Sequence, residues 1–124
     1  MSDPRSGDPA TSLDMLRDAL RRFAAERDWD QFHSPKNLSM ALSVESAELM
    51  EHFQWLTGAE SKRLPPEKRE QVRLEMADVL LYLVRLADKL DVDLVAAAQE
   101  KLALNARKYP VDKARGSSKK YSEL

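Results

Sequence analysis

Apolar residues recur along this chain at the three-to-four residue spacing of helices and nowhere at the two-residue alternation of half-buried strands. Leu13, Leu16, Leu20 and Phe23 form the first stripe, with Asp and Arg between them. Ser12 stands just before it as a capping residue, so a first helix is expected from there to about Asp28. A second stripe, Leu38, Leu42, Leu49 and Phe53, predicts a helix capped by Asn37 and ended at Thr57-Gly58. The third stripe is the longest: Val72, Met76, Val79, Leu83, Leu86 and Leu90, opened by Pro65-Pro66. Leu94, Val95, Ala98 and Leu102 mark a fourth helix, with Asp91 and Asp93 as candidate caps and Pro110 as its stop. Three glycines and no internal repeat agree with an all-α fold, a four-helix bundle-like arrangement with short connectors.

The remaining segments set the boundaries. Residues 1–11 hold Pro, Gly, Ser and Asp without periodicity and are expected to be a disordered lead-in. A helical domain is expected over 12–110. The tail, 111–124, is locally basic, with Lys113, Arg115, Lys119 and Lys120 against Asp112 and Glu123. Between the first two helices, Trp29-Asp30-Gln31-Phe32-His33-Ser34-Pro35 breaks the pattern, because Pro35 disfavours helix at Ser34. Trp29 and Phe32 either plug the core, the commoner use of a large ring, or wall a pocket.

Two places on the helices break the rule that stripes are apolar. Glu45 lies inside the second stripe, three residues after Leu42 and four before Leu49, and Glu48 falls on the adjoining row with Ala41, Val44 and Trp55. Glu75, Asp78 and Tyr82 form a row beside the third stripe. Each acidic pair has the i, i+3 spacing that places both carboxylates on one helix face, about 5–6 Å apart at Cβ. A carboxylate in an apolar setting is costly unless it is paired or bound to metal. Spacing alone is weak evidence, since Glu67/Glu70, Glu48/Glu51 and Asp88/Asp91 share it and the first lies in the polar run EKREQ. From the residues alone two readings stand: a metal site, or structural carboxylates bonded to Arg73 or Arg85.

If a metal is held, oxygen-only ligands favour Mg²⁺ or Mn²⁺ over zinc or copper. A di-iron bundle needs Glu-x-x-His on two helices. His52 follows Glu48 by four residues and His33 lies in the connector, so that alternative fails. A magnesium site of helix carboxylates usually serves a phosphate substrate. Lys101, Asn105 and Lys108 are then candidate phosphate donors, and Trp29, Trp55 and Tyr82 candidate surfaces for a base. No Gly-rich phosphate cradle is present.

Composition narrows the partners. With 20 Lys and Arg against 21 Asp and Glu, the net charge of −1 gives no bulk attraction to nucleic acid or membrane. The absence of Cys excludes disulfides and thiolate metal sites. No apolar run approaches the roughly 20 residues a bilayer requires, and the polar N-terminus is no signal peptide, so a cytoplasmic location is expected. A single domain of 124 residues buries only about two-thirds of its unfolded surface. A small core beside many apolar helix faces predicts self-association.

The spacing Glu45-x-x-Glu48 followed by Glu75-x-x-Asp78 resembles the all-α NTP pyrophosphohydrolases, the MazG-like enzymes. RDWDQFHSPKNL, ALSVESAELMEHFQW, LEMADVLLYLVRLA and the tail NARKYPV…RGSSKKYSEL look like the dCTP pyrophosphatase branch, over Leu16 to Leu124. The resemblance implies a MazG-type fold and a homotetramer whose sites are completed by neighbouring subunits. It also implies Glu45, Glu48, Glu75 and Asp78 as Mg²⁺ ligands, with Glu45 or Glu48 taking a proton from water. Trp29, Asp30, Gln31, Phe32, His33, Trp55 and Tyr82 match pocket positions, and Asn105 and Lys108 match a segment near the phosphates. Leu20 stands where close relatives have a substrate-contacting histidine. The implied reaction is Mg²⁺-dependent hydrolysis of dCTP, or of 5-modified dCTP, to dCMP and pyrophosphate. The alternatives are a broader house-cleaning hydrolase preferring dUTP or damaged nucleotides, and a non-catalytic nucleotide-binding bundle.

Overall fold

The computed structural model describes the backbone over residues 9–124 and side chains from residue 12. Helix α1 spans Pro9–Glu26, α2 Pro35–Glu51, α3 Gly58–Ser61, α4 Pro66–Lys89, α5 Leu94–Lys108 and α6 Val111–Ala114. Two 3-10 turns, Asp30–Phe32 and Tyr121–Glu123, complete the elements, and no strand occurs among the described residues. The chain forms two compact units that divide between Val92 and Asp93.

In the first unit α4 packs against both α2 and α1. Its buried apolar positions are Ala24 on α1, Leu38 on α2, and Val72, Val84 and Ala87 on α4. Of the large side chains Leu38 alone is sealed, at 2% exposure. Outside that small core, Met40, Val44 and Met50 on α2 and Leu74 and Met76 on α4 stay exposed.

Helices α1 and α4 stop in the same way. After α1, the Trp29 amide donates to the Ala24 carbonyl and the Asp28 amide to Ala25. After α4, the Val92 amide donates to Ala87 and the Asp91 amide to Asp88. These paired bonds define the Schellman motif, whose turning residue takes a left-handed conformation. Asp28 and Asp91 fill that position with φ of 55° and 54°. Glycine is the usual occupant, but Asp tolerates the region through its short polar side chain. At the end of α1 the motif's apolar contact is made by aromatic rings, Trp29 standing edge-on to Phe23 at 5.7 Å.

Several expected boundaries move. Helix α1 begins at Pro9, so Ser12 lies inside its first turn rather than capping it, and residues 9–11 of the expected lead-in are helical; the rest of that lead-in lies outside the described residues. The cap of α2 is Ser34, whose hydroxyl accepts from the Asn37 amide at 3.1 Å, not Asn37 itself. The Asn37 side chain instead donates back to the Phe32 carbonyl at 2.9 Å, tying the connector to the helix. Helix α2 stops at Glu51, well before Thr57-Gly58. Thr57 opens α3 in a capping box: its hydroxyl accepts from the Glu60 amide while Glu60 accepts from the Thr57 amide. A residue serving as N-cap has non-helical backbone, so α2 could not run through it. Asp93 alone caps α5, accepting from the Ala96 amide at 3.1 Å.

The second unit, Asp93–Leu124, gives the tail more order than its sequence suggests. Tyr121 packs edge-on against Tyr109 at 6.2 Å, and the Lys108 ammonium lies 4.9 Å from the Tyr121 ring centre.

Candidate active site

Glu45 and Glu48 sit on the face of α2 that meets α4, and Glu75 projects from α4 to join them. One carboxylate oxygen from each of the three lies within 4.8 Å of the others. Glu45 and Glu75 are partly buried and Glu48 is exposed. Glu45 Oε2 and Glu75 Oε1 are buried with no hydrogen-bond partner. Glu75 above all, then burial, then Glu48 push the Glu45 carboxyl up to about 8. Three acids converge, and two of their oxygens meet other carboxylates rather than a hydrogen-bond donor.

The arginines that might have neutralised them are engaged elsewhere. Arg73 holds Glu70, one helical turn back, at 2.6 and 2.9 Å. Arg85 holds Asp30 at 2.6 Å and approaches Asp88 at 3.5 Å. Among the described residues no Lys or Arg forms an ion pair with Glu45, Glu48 or Glu75. The structural-carboxylate reading therefore lacks the cations it needs. An all-oxygen trio with orphaned lone pairs fits a hard divalent cation.

Asp78 stands outside that trio, on the next turn of α4. It lines a cavity of about 450 Å³ bounded by Leu16, Ala19, Leu20 and Phe23 of α1, by Trp29 and His33 of the connector, and by Leu81, Tyr82 and Arg85 of α4. The spacing explains the sharing: 78, 82 and 85 recur every three to four residues and so face one way. Three of the expected pocket residues, Trp29, His33 and Tyr82, thus meet around one space.

The other expected residues have different surroundings. Asp30 is bonded to Arg85 and Lys89, and Lys89 first and Arg85 after it hold its carboxyl below the usual range. Gln31 donates to the carbonyl and carboxylate of Asp28, bracing the turn. Phe32 is exposed and is not part of the cavity wall. Trp55, expected on the Glu48 row of α2, lies beyond the end of that helix and is 88% exposed. Asn105 and Lys108 lie on α5, in the second unit. Leu20 does line the cavity. Arg85 is the cavity residue that sequence reasoning placed in another role. Its position seven residues past Asp78 was the available signal.

The MazG-like family profile matches residues 40–124, which hold both acidic pairs. The chain belongs to this family. It is 47% identical to dCTP pyrophosphatase 1 of Homo sapiens over 118 residues, covering 94% of this chain and 69% of that protein. It is 45% identical to dCTP pyrophosphatase 1 of Rattus norvegicus over 123 residues, covering 98% of this chain and 72% of that protein. In three dimensions it is similar to a pyrophosphatase from Archaeoglobus fulgidus, with a TM-score of 0.76 and 39% identity, over 80% of this chain and 93% of that one. No helix among the described residues is long and apolar enough to cross a membrane.

Proposed function

We propose that the chain is a Mg²⁺-dependent nucleoside triphosphate pyrophosphohydrolase that converts dCTP to dCMP and pyrophosphate. One observation carries this reading: three carboxylates converge without a cationic partner, and one of them, Glu75, stands on α4, the helix that also lines an aromatic-walled cavity. The likeness to proteins named dCTP pyrophosphatase 1 supports cytosine as the base.

Glu45, Glu48 and Glu75 hold the cation, with Asp78 completing the set from the next turn of α4. Bound there, Mg²⁺ supplies charge neutralisation for the triphosphate oxygens. Water attacks the α-phosphorus, a P–O bond to it forms, and the bond to the β-phosphate oxygen breaks. Glu45 or Glu48 takes the proton of the attacking water. Trp29 and Tyr82 flank the nucleoside in the cavity. Asn105 and Lys108, an amide and an ammonium, are assigned to the phosphates on their chemistry as donors. The exposed apolar residues of α2 and α4 are covered by further copies of the chain in a homotetramer.

A release assay for pyrophosphate tests this with the common deoxynucleoside triphosphates and 5-methyl-dCTP, with and without Mg²⁺. Glu48→Gln removes one negative ligand at an exposed position and should abolish turnover while the helical signal and the assembly persist. Retained activity in that variant would remove the carboxylate trio from the mechanism.

Leu20 on the cavity wall favours a second reading. A methyl-bearing side chain offers the base no hydrogen bond, which loosens selection and admits dUTP or damaged pyrimidines. The ratio of kcat/KM for dCTP and dUTP separates the two.

A further inference from the structure

We propose that Arg85 is a positioning residue: it locks the His33 imidazole in the tautomer protonated at Nε2, so that the cavity presents its ligand with a fixed N–H donor. The tautomer follows from the structure alone; its consequence for base choice rests on the nucleotide reading above.

Arg85 is 5% exposed, the one buried charged residue among those described. Its guanidinium divides three ways. Nε donates to His33 Nδ1 at 3.1 Å, Nη2 donates to Asp30 at 2.6 Å, and Nη1 lies 3.5 Å from Asp88. Guanidinium has five donors, no acceptor, and stays charged at any ordinary pH. The atom it meets on His33 must therefore be a bare lone pair. In a neutral ring with Nδ1 accepting, the proton resides on Nε2. A doubly protonated ring would press Nδ1–H against Nε–H, which the geometry forbids.

The charges around His33 act the same way. Arg85 and Lys89 from α4 oppose a third positive charge, Asp30 from the connector favours one, and α1 brings Leu16, Ala19, Leu20 and Phe23, all apolar, to the shared cavity. Asp78 and Tyr82 line that cavity as well. Burial first, then Arg85 and Lys89, outweigh Asp30 and hold the ring's pKa below its usual value. Imidazole stays neutral and its donor stays at Nε2.

A purely structural tie would not need this arrangement. Lys89 already joins α4 to Asp30, and Arg21 already joins α1 to Asp88 at 2.5 and 2.7 Å. Burying a guanidinium costs several kcal/mol before its partners offset it. A neutral imidazole repays less of that cost than a carboxylate does. What the Arg85–His33 bond adds is orientation. Among the described residues His33 Nε2 has no partner, and a ligand in the cavity must bring an acceptor to meet it. Cytosine has acceptors at O2 and N3, whereas uracil carries hydrogen at N3, so a fixed donor aimed at N3 would favour cytosine.

Nitrogen-15 NMR of the histidine rings in the intact protein reads the tautomer directly. The expected spectrum shows His33 with bare Nδ1 and protonated Nε2 at neutral pH, and Arg85→Met should give mixed tautomers with a raised pKa. In that variant Asp30 keeps Lys89 and Asp88 keeps Arg21, so both acids stay paired. An Nδ1–H ring or an imidazolium at neutral pH in the unaltered protein would overturn the proposal, whether or not the variant folds. Kinetics give the second arm. Arg85→Met should raise KM for dCTP about tenfold with little change in kcat, and should add less than about twofold in a His33→Ala background. Fully additive effects would reduce Arg85 to a structural role and overturn it. If no nucleotide is hydrolysed at all, the enzyme reading fails and the ring measurement still decides the tautomer.

Discussion

Raising the pH of the metal-free protein should destabilise it, and Mg²⁺ should abolish that loss. Glu45 is the cause. Its carboxyl is pushed up to about 8 by Glu75, burial and Glu48, against an ordinary 4.5. Between those two values the folded protein keeps a proton that the unfolded chain has released. The folded state therefore binds more protons, and stability falls as pH rises through that window. Below it both states are protonated and nothing is lost. The gap, at ~1.4 kcal/mol per pH unit, sets a ceiling of about 5 kcal/mol. Glu48 is exposed and water reaches the trio, so screening reduces this to about 2 kcal/mol. For a chain of this length that is a fall in Tm of about 6 °C between roughly pH 5 and pH 9.

Other groups do not mimic the effect. Asp30, Asp88, Glu60 and Glu70 are all held below their ordinary values by partners, so their contributions are complete above those values. His33 is lowered, so its contribution rises with pH as the unfolded chain loses its proton, opposite in sign to that of Glu45. Thermal melting by circular dichroism, in chelator and in saturating Mg²⁺, is the assay. Glu45→Gln should flatten the metal-free profile and raise its alkaline end. A flat profile in the unaltered protein, or an unchanged slope in Glu45→Gln, would refute the claim that this carboxyl is held in repulsion awaiting a cation.

Trp29→Ala removes the apolar contact of the α1 cap and one wall of the cavity. It should lower stability by about 2 kcal/mol, less than for a sealed ring because Trp29 is partly exposed, and raise KM more than it lowers kcat. Denaturant melts and steady-state kinetics on the same preparation check both halves. Leu38→Ala, at the most deeply buried large side chain, should cost about 3 kcal/mol, seen as a lower urea midpoint. Ser34→Ala removes the α2 cap and should cost about 1 kcal/mol in the same melt while kcat is unchanged.

How far the sequence foretold the site depends on the range of the interaction involved. Glu45 and Glu75 stood out because each lies in an apolar setting, and local periodicity reveals that. Their lack of cationic partners was not legible. Arg73 chose Glu70 by helical proximity, but Arg85 pairs with Asp30, 55 residues earlier, and no local pattern encodes that contact. The start of α3 was legible in principle, since Thr57-x-x-Glu60 is a capping box written in the sequence, but the end of α2 at Glu51 was not. The apolar row running on to Trp55 masked it. The ends of α1 and α4 fell within two residues of expectation, but the left-handed turn that makes each of them was hidden, because Asp28 and Asp91 stand where glycine usually announces it.

The row along α4 sets the polarity of the site. Glu75 faces the acidic trio, Asp78, Tyr82 and Arg85 line the cavity, and Lys89 follows, so charge changes sign along one helix. A triphosphate approaching this row without a cation would be repelled at the Glu75 end. The other end offers no compensation, because Arg85, the one Lys or Arg lining the cavity among the described residues, is buried and committed to Asp30, Asp88 and His33. On the proposed function, positive charge for the phosphates would come from the cation held at the carboxylates. In that reading the substrate would lie with its phosphates toward α2 and the trio and its base toward α1 and the connector. The guanidinium committed away from the phosphates is then the one that, on the tautomer proposal, would fix the histidine facing the base.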